Sequence, residues 1–333
     1  MKILVTGGAG FIGSHTIVEL INNGFEPVIV DDFRNSETLV LTQLENLCNK
    51  KIISYNVDCC NYSLMEEIFL SEKPEGVIHF AADKSVNESV NTPLKYYENN
   101  IGSLVVLLKL IAKHPVKSFV FSSSCTVYGN PENVPVNEQS PIKKAFSPYG
   151  FSKQVCEQCL NDFYSSNSNT SIILLRYFNP IGAHPSGLIG ELPIGVPNNL
   201  IPYITQTAAR IREKVVVFGD TYETIDGTCL RDYIHVCDLA QAHVLALKYA
   251  LKNPRSIDTF NVGTGKGNSV LEVIKAFEKI NRLTLNYEIG PKRAGDAPVV
   301  YADNSYIKSK LNWSPKFSLE DALLHAWKWQ QTL

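Results

Sequence analysis

Six short runs rich in β-branched and apolar residues punctuate the first half of the chain: KILVT (2–6), EPVIVD (26–31), KIISYNV (51–57), GVIHFA (76–81), SFVFSS (118–123) and SIILLRYF (171–178). They are nearly continuous in apolar character rather than alternating, which is the pattern of strands buried on both faces of a parallel sheet. Parallel neighbours need crossover connections, and the intervening segments supply them. FIGSHTIVELINNG, LVLTQLENL, SLMEEIFL, LKYYENNIGSLVVLLKLIAKH and YGFSKQVCEQCLNDFY have apolar residues at helical spacing and polar opposite faces. Alternation repeated this often predicts an α/β fold built on a doubly wound parallel sheet.

After about residue 179 the texture changes. NPIGAHPSGLIGELPIGVPNNLIP is rich in Pro and Gly and predicts a long ordered loop rather than a linker. A strand VVVFG, a helix DLAQAHVLALKYAL, a strand DTFNVG and further helices follow. The expectation is a first domain over 1–178, with return segments near 232–265, and a second, smaller α/β domain over 179–333.

At 333 residues the chain can bury a large core, and 44% hydrophobic with 19% charged residues is a globular make-up. A net charge of −2 offers no basic field for nucleic acid and no polybasic patch for a membrane, so neither partner is expected. Any anionic ligand must be held by local devices such as helix N-termini or single arginines. MKILVTGGAG has too short an apolar run for an export signal and no long apolar stretch follows, so a cytoplasmic location is expected. Eight cysteines in that setting read as free thiols. Cys156 and Cys159 have CxxC spacing, but no second Cys or His pair stands nearby at zinc-site spacing. They read as buried thiols, as does the pair Cys59–Cys60, and no metal is expected.

TGGAGFIG (6–13) follows the first strand and opens the first helix. Gly7, Gly10 and Gly13 leave room for a tight turn and for backbone approach to a pyrophosphate, with helix N–H groups behind it. The second strand ends in VDD, placing Asp31 and Asp32 about 20 residues on, where a carboxylate accepts ribose hydroxyls. A carboxylate there repels a 2′-phosphate, so the reading is a Rossmann domain for NAD rather than NADP. Downstream, SPYGFSK sets Tyr149 one residue after Pro148 and four before Lys153. A helix beginning there brings phenol and ammonium onto one face, ~6 Å apart along the axis. Such a pair is either two surface side chains or a proton-transfer device.

Ten stretches in order decide between these: VTGGAGFIGSH, VIHFAADKSVNESV, YYENNIGS, FSSSCTVYG, SPYGFSK, LLRYFNPIGAHPSG, PNNLIPYI, DGTCLRDYIHV, NVGTGKGNSV and RAGDAP. Over almost its whole length the chain resembles the extended short-chain dehydrogenase/reductase family and, within it, the UDP-glucose (UDP-galactose) 4-epimerases. The resemblance implies reversible inversion at C4 of a UDP-hexose through a transient 4-keto sugar, with bound NAD taking and returning the hydride. It implies Ser124, Tyr149 and Lys153 as the catalytic set. A phenol of pKa about 10 working near 7 needs roughly 4 kcal/mol, which one ammonium ~4 Å away supplies at an effective dielectric near 20.

On the cofactor side the resemblance implies Gly7, Gly10, Phe11, Ile12, Gly13, Asp31, Asp32, Asn35, Ser36, Asp58, Cys59, Phe80, Ala81, Ala82, Lys84, Asn99, Ser122 and Phe178, with Tyr149 and Lys153. For the UDP-sugar it implies Lys84, Ser124, Tyr149, Asn179, Asn199, Leu200, Val216, Phe218 and Val300. Arg231 and Arg293 would take the diphosphate and Asp296 the uridine ribose. The family is homodimeric through helices near 95–113 and 150–165, and a homodimer is expected. Related 4,6-dehydratases carry an Asp–Glu pair just before VYG, and decarboxylases keep a Glu there. This chain has Cys125 and Thr126, so elimination lacks its acid and base. A non-catalytic NAD-binding protein would need none of Ser124, Tyr149 and Lys153.

A bulky residue at the wall position Val300 confines the family's site to unsubstituted hexoses, and a small one admits an N-acetyl group. Val300→Tyr is expected to remove turnover of UDP-N-acetylglucosamine and spare UDP-glucose, as read by product chromatography; unchanged activity on both sugars excludes this reading.

Overall fold

The structure, a computed structural model, describes residues 1–166, 169–293 and 297–333. The six apolar runs form β1 (Lys2–Thr6), β2 (Glu26–Asp31), β3 (Ile53–Asn56), β4 (Gly76–His79), β5 (Ser118–Ser124) and β6 (Ser171–Tyr177). With the strand Ile257–Val262 they make a seven-stranded sheet in the order Ile257–Val262, β6, β5, β4, β1, β2, β3. β1 pairs in parallel with both β2 and β4, and the pairs β2–β3, β4–β5 and β5–β6 are parallel too. The chain therefore reverses its direction of winding at β1, and the ends of β1 and β4 form the switch point where such sheets take ligands. β4, β5 and β6 are buried throughout, as their unbroken apolar runs require, whereas the edge strand β3 is largely exposed and shorter than its run of seven.

Helices α1 (Phe11–Asn22), α2 (Leu39–Cys48), α3 (Tyr62–Glu72), α4 (Val86–Asn91), α5 (Pro93–Tyr96), α6 (Gly102–Lys113) and α7 (Pro148–Ser165) complete this unit. Leu104, Leu107 and Ile111 of α6, Met65 and Phe69 of α3 and Leu160 of α7 share one core with Leu4, Val77, Phe119 and Ile172 of the sheet. The segment 94–114 is not the single helix its periodicity predicts. A π-helical turn, Tyr97–Ile101, separates α5 from α6. Its wider ring turns Asn100 inward, where the buried amide donates to the Asp83 carbonyl (3.0 Å) and the Ser152 hydroxyl (3.1 Å) and accepts from the Asp83 N–H (2.8 Å). α7 begins with Ser147 accepting from the Gly150 N–H and Pro148 at the first helical position.

Two compact units are present: Met1–Asn130, Pro141–Tyr177 and Ala240–Phe260 form the one just described, and Pro131–Ser140, Phe178–Leu239 and Asn261–Leu333 form the other. The second has short strand pairs, Asn179–Ile181 beside Tyr233–His235 and Val215–Phe218 beside Tyr287–Gly290, and a core around Ile204, Val217, Tyr233, Phe277 and Leu323. Its chain segments are tied by Asp232, fully buried, which accepts from the Thr264 N–H and hydroxyl (both 2.7 Å), the Gly265 N–H (3.1 Å) and the Ala302 N–H (3.1 Å). All four lone-pair positions of the carboxylate are thus used. All eight cysteines are free, and among the described residues no helix is long and apolar enough to cross a membrane.

Asp232→Ala strands three N–H groups, one buried at Ala302 and two part-buried at Thr264 and Gly265. It is expected to cost about 3 kcal/mol or more, measured as a lowered urea midpoint.

Candidate active site

The loop between β1 and α1 has the shape its glycines predict. Gly7 sits at φ +67°, and a Cβ there would lie 2.7 Å from the Ala81 nitrogen; one on Gly13 would lie 2.2 Å from the Gly7 carbonyl. The loop is pinned by Gly7 N–H to the Val30 carbonyl (2.8 Å). No side chain caps α1, so the N–H groups of its first turn, around Phe11, Ile12 and Gly13, are left without intrahelical acceptors. They form a cradle open to an anion. Phe80 and Ala81 close its other side, both donating to the Thr6 carbonyl (2.9 and 3.2 Å), and Ala82 follows, half-buried.

Asp31 fastens this loop to the end of β2. Its carboxylate accepts from the Ala9 N–H (3.0 Å), the Phe33 N–H (3.0 Å) and the Ser36 hydroxyl (2.9 Å). Burial raises its pKa, and those three bonds oppose the rise. One lone-pair position remains for a ribose hydroxyl. Asp32 is ion-paired to Arg34, which also reaches Asp58 (2.7 Å) and Asn99 (3.3 Å). Asp58 lies below the usual carboxylate range. Burial works against this, and the Cys60 N–H and Arg34 outweigh it. Cys59 is buried, whereas Asn35 and Lys84 are exposed.

Ser124 ends β5, with Tyr149 and Lys153 one turn apart on α7. The Ser124 oxygen accepts from the Thr126 N–H (3.2 Å) and hydroxyl (3.0 Å). The Tyr149 ring meets Tyr96 edge-on at 6.5 Å. Lys153 is 4% exposed; its Nζ donates to the Ser122 carbonyl (2.8 Å) and lies 4.9 Å from the Phe121 centroid. The ammonium is 6.0 Å from the centroid of the Tyr149 ring.

The expectation that the ammonium lowers the phenol is not what this chain does by itself. Burial, then the neighbouring Tyr177, push Tyr149 well above its ordinary value, with only the Ser124 hydroxyl opposing. Burial also brings Lys153 down to about 8, offset in part by Cys156 and Glu157. The positive nicotinamide ring expected beside Lys153 would oppose the rise at Tyr149.

The sequence reading missed the network behind this set. Glu157, one turn beyond Lys153, accepts from Arg176 Nε (2.9 Å) and its terminal nitrogen (2.6 Å) and from the Ser123 hydroxyl (2.5 Å). Arg176 also donates to Tyr128 (3.0 Å), and Tyr177 shares a hydrogen bond with the Ser122 hydroxyl. The i,i+4 spacing of Lys153 and Glu157 was the available signal.

In the second unit, Phe178 is buried and the Asn179 N–H bonds the Asp232 carbonyl (2.9 Å). Asn199, before the helix that opens at Leu200, donates to Glu191 (2.6 Å). Val216 is half-buried in its strand, and the Arg293 guanidinium lies 4.8 Å over the Phe218 ring. Arg231 stands opposite Val300 in strand register. Asp296 lies outside the described residues.

Comparison with known proteins places this geometry. The family described as GDP-mannose 4,6 dehydratase matches residues 4–325. The UDP-glucose 4-epimerase of Bacillus subtilis is 47% identical over 332 residues, covering 100% of this chain and 97% of its own. The chain belongs to the UDP-glucose 4-epimerase family. The family's Bifidobacterium longum enzyme, solved with NAD+ and UDP, superposes with a TM-score of 0.97 at 44% identity, covering 100% of this chain and 98% of that one. The Stenotrophomonas maltophila enzyme, with NAD and formylated UDP-arabinopyranose, gives 0.96 at 46% identity and the same coverage. The fold is that of this family. Where the wider dehydratase group has acidic residues, this chain has Cys125 and Thr126 in the turn after Ser124.

Because the folded pKa of Lys153 lies below its ordinary 10.5, the unfolded chain binds the extra proton between about pH 8 and 10.5, and this group adds stability as pH rises through that window. Relative to Lys153→Met, the wild type is expected to gain ~2 kcal/mol between pH 8 and 10, measured by urea unfolding.

Proposed function

We infer that this chain is an isomerase that inverts C4 of a UDP-hexose, interconverting UDP-glucose and UDP-galactose, with NAD as its bound cofactor. The observation that carries the reading is a buried Tyr149, one helical turn before a buried Lys153 that is fixed to the Ser122 carbonyl beside Ser124, in the unit that carries the glycine cradle. The cradle fits a dinucleotide: Gly7 and Gly13 let the loop pack against Ala81 and the first turn of α1, whose N–H groups stay uncapped, and Asp31 keeps one acceptor position for a ribose. Gly7, Gly10, Phe11, Ile12, Gly13, Asp31, Asp58, Phe80, Ala81 and Asn99 would hold NAD, which when bound supplies a hydride acceptor and a positive ring near the phenol.

Tyr149 then takes the proton of the sugar 4-hydroxyl as the C–H bond at C4 breaks, and returns it when the hydride comes back to the opposite face. Ser124 hydrogen-bonds the same hydroxyl and fixes its direction. Lys153, held on the Ser122 carbonyl, keeps a positive charge behind the phenolate. Cys125 and Thr126 offer no carboxylate to expel water, so the 4-keto sugar is reduced again rather than dehydrated. Arg231 and Arg293 suit the diphosphate, which lets the sugar turn while the nucleotide stays fixed. Val300, beside Arg231, supports acceptance of N-acetylhexoses. A homodimer is supported by exposed apolar residues on α4, α5 and α7, with Val90 60%, Leu94 70% and Phe151 49% exposed.

Purified protein incubated with UDP-glucose and no added NAD should give a product of unchanged mass that co-elutes with UDP-galactose. A product lighter by one water would identify a dehydratase instead. Tyr149→Phe should lower kcat by about 10²–10⁴-fold, and kcat should fall above about pH 8 as Lys153 loses its proton.

A further inference from the structure

Three chain segments meet at the open edge of the glycine cradle: the turn after β2, the loop after β3, and the π turn before α6. One side chain joins them. The Arg34 guanidinium pairs with Asp32 in its own turn, donates to Asp58 Oδ2 (2.7 Å) in the second segment and to Asn99 Oδ1 (3.3 Å) in the third. Its partners Asp58 and Asn99 are 24 and 65 residues away in sequence. The far post is itself braced, since the Asn99 amide donates to Asp83 Oδ2 (2.9 Å), and Asp83 is buried.

The backbone is wound to put Arg34 there. Phe33 adopts φ +58°, in the left-handed region that bulky residues avoid. The Phe33 N–H bonds Asp31 Oδ1 and the Arg34 N–H bonds Asp32 Oδ1 (both 3.0 Å), so two successive carboxylates curl the chain back over the rim. Asp31, Asp32 and Asp58 all lie on that rim. A dinucleotide brings a diphosphate of two negative charges toward it, and Arg34 neutralises the two carboxylates it touches. Its side chain is 40% exposed, so the bridge is reachable by solvent and open to screening by salt.

We propose that Arg34 is a latch over the adenosine end of the cofactor site, whose three-point bridge sets how slowly NAD leaves. The proposal rests on the cofactor assignment above. The latch acts on retention: opening it frees the three segments to part, and closing it ties them across the bound nucleotide. Lysine cannot replace it in full, because a point charge lacks the fork that reaches several acceptors at once.

The test uses protein purified with its NAD. Wild type, Arg34→Met and Arg34→Lys are dialysed at low salt and at about 0.5 M NaCl, where charges beyond a few ångströms are screened. The nucleotide still bound is released by heat and quantified by chromatography over time. Wild-type release should quicken with salt. Arg34→Met should release ~10-fold faster at low salt and respond little to salt, with Arg34→Lys between them. Equal release by wild type and Arg34→Met at low salt overturns the latch, as does salt-independent release from the wild type. A lowered thermal midpoint in Arg34→Met with unchanged release also overturns it and leaves Arg34 a structural brace. Wild-type protein that neither carries nor binds added NAD would instead remove the cofactor assignment, and the latch with it.

Discussion

An ammonium buried at the end of β5 is the constraint around which this site is organised. Taking Lys153 out of water costs several kcal/mol, and the surrounding structure offsets that in three ways. The Ser122 carbonyl accepts its proton, the Phe121 ring lies beneath it, and Glu157 contributes a negative field from one turn away. Glu157 is held in turn by Arg176 of the neighbouring strand. Ser122 stands opposite Leu175 and Ser124 opposite Tyr177 in the β5–β6 pairing, which sets the Tyr177 hydroxyl on Ser122 and Arg176 on Glu157. A slip of one residue would turn these side chains to the other face of the sheet.

Glu157 and Arg176 show why such a site tolerates little change. The pair is buried, bidentate and saturated by Ser123 and Tyr128. Buried ion pairs seldom add net stability, yet breaking one leaves a charge without a partner. Here the pair spans β5, β6 and α7, the elements that carry Ser124, Tyr177 and Lys153. Its worth lies in holding their mutual geometry.

Much of this was legible in the sequence because it rests on local rules. Unbroken apolar runs gave β1 to β6, Pro148 marked the start of α7, and glycine spacing marked the cradle. What escaped depends on pairings between distant residues. The interrupted helix at 97–101 keeps an apolar periodicity on either side, and nothing local signals that Asn100 is buried against α7. Arg34 reads as an ordinary surface cation until Asp58 and Asn99 are brought beside it. Spacing along a helix gives which groups are neighbours, whereas the burial that raises Tyr149 comes from the whole packed unit.

The π turn at Tyr97–Ile101 holds one residue more than an α-helical turn would, so it acts as a phase shifter for α6. Deleting that residue would rotate everything downstream by about 100° per position, swinging Leu104, Leu107 and Ile111 off the sheet. Chain length at this point is therefore fixed by the core. Asn99 inherits its place beside Arg34 and Asp83 from the same count, so a polar contact near the surface is held in position by the phase of an apolar helix face.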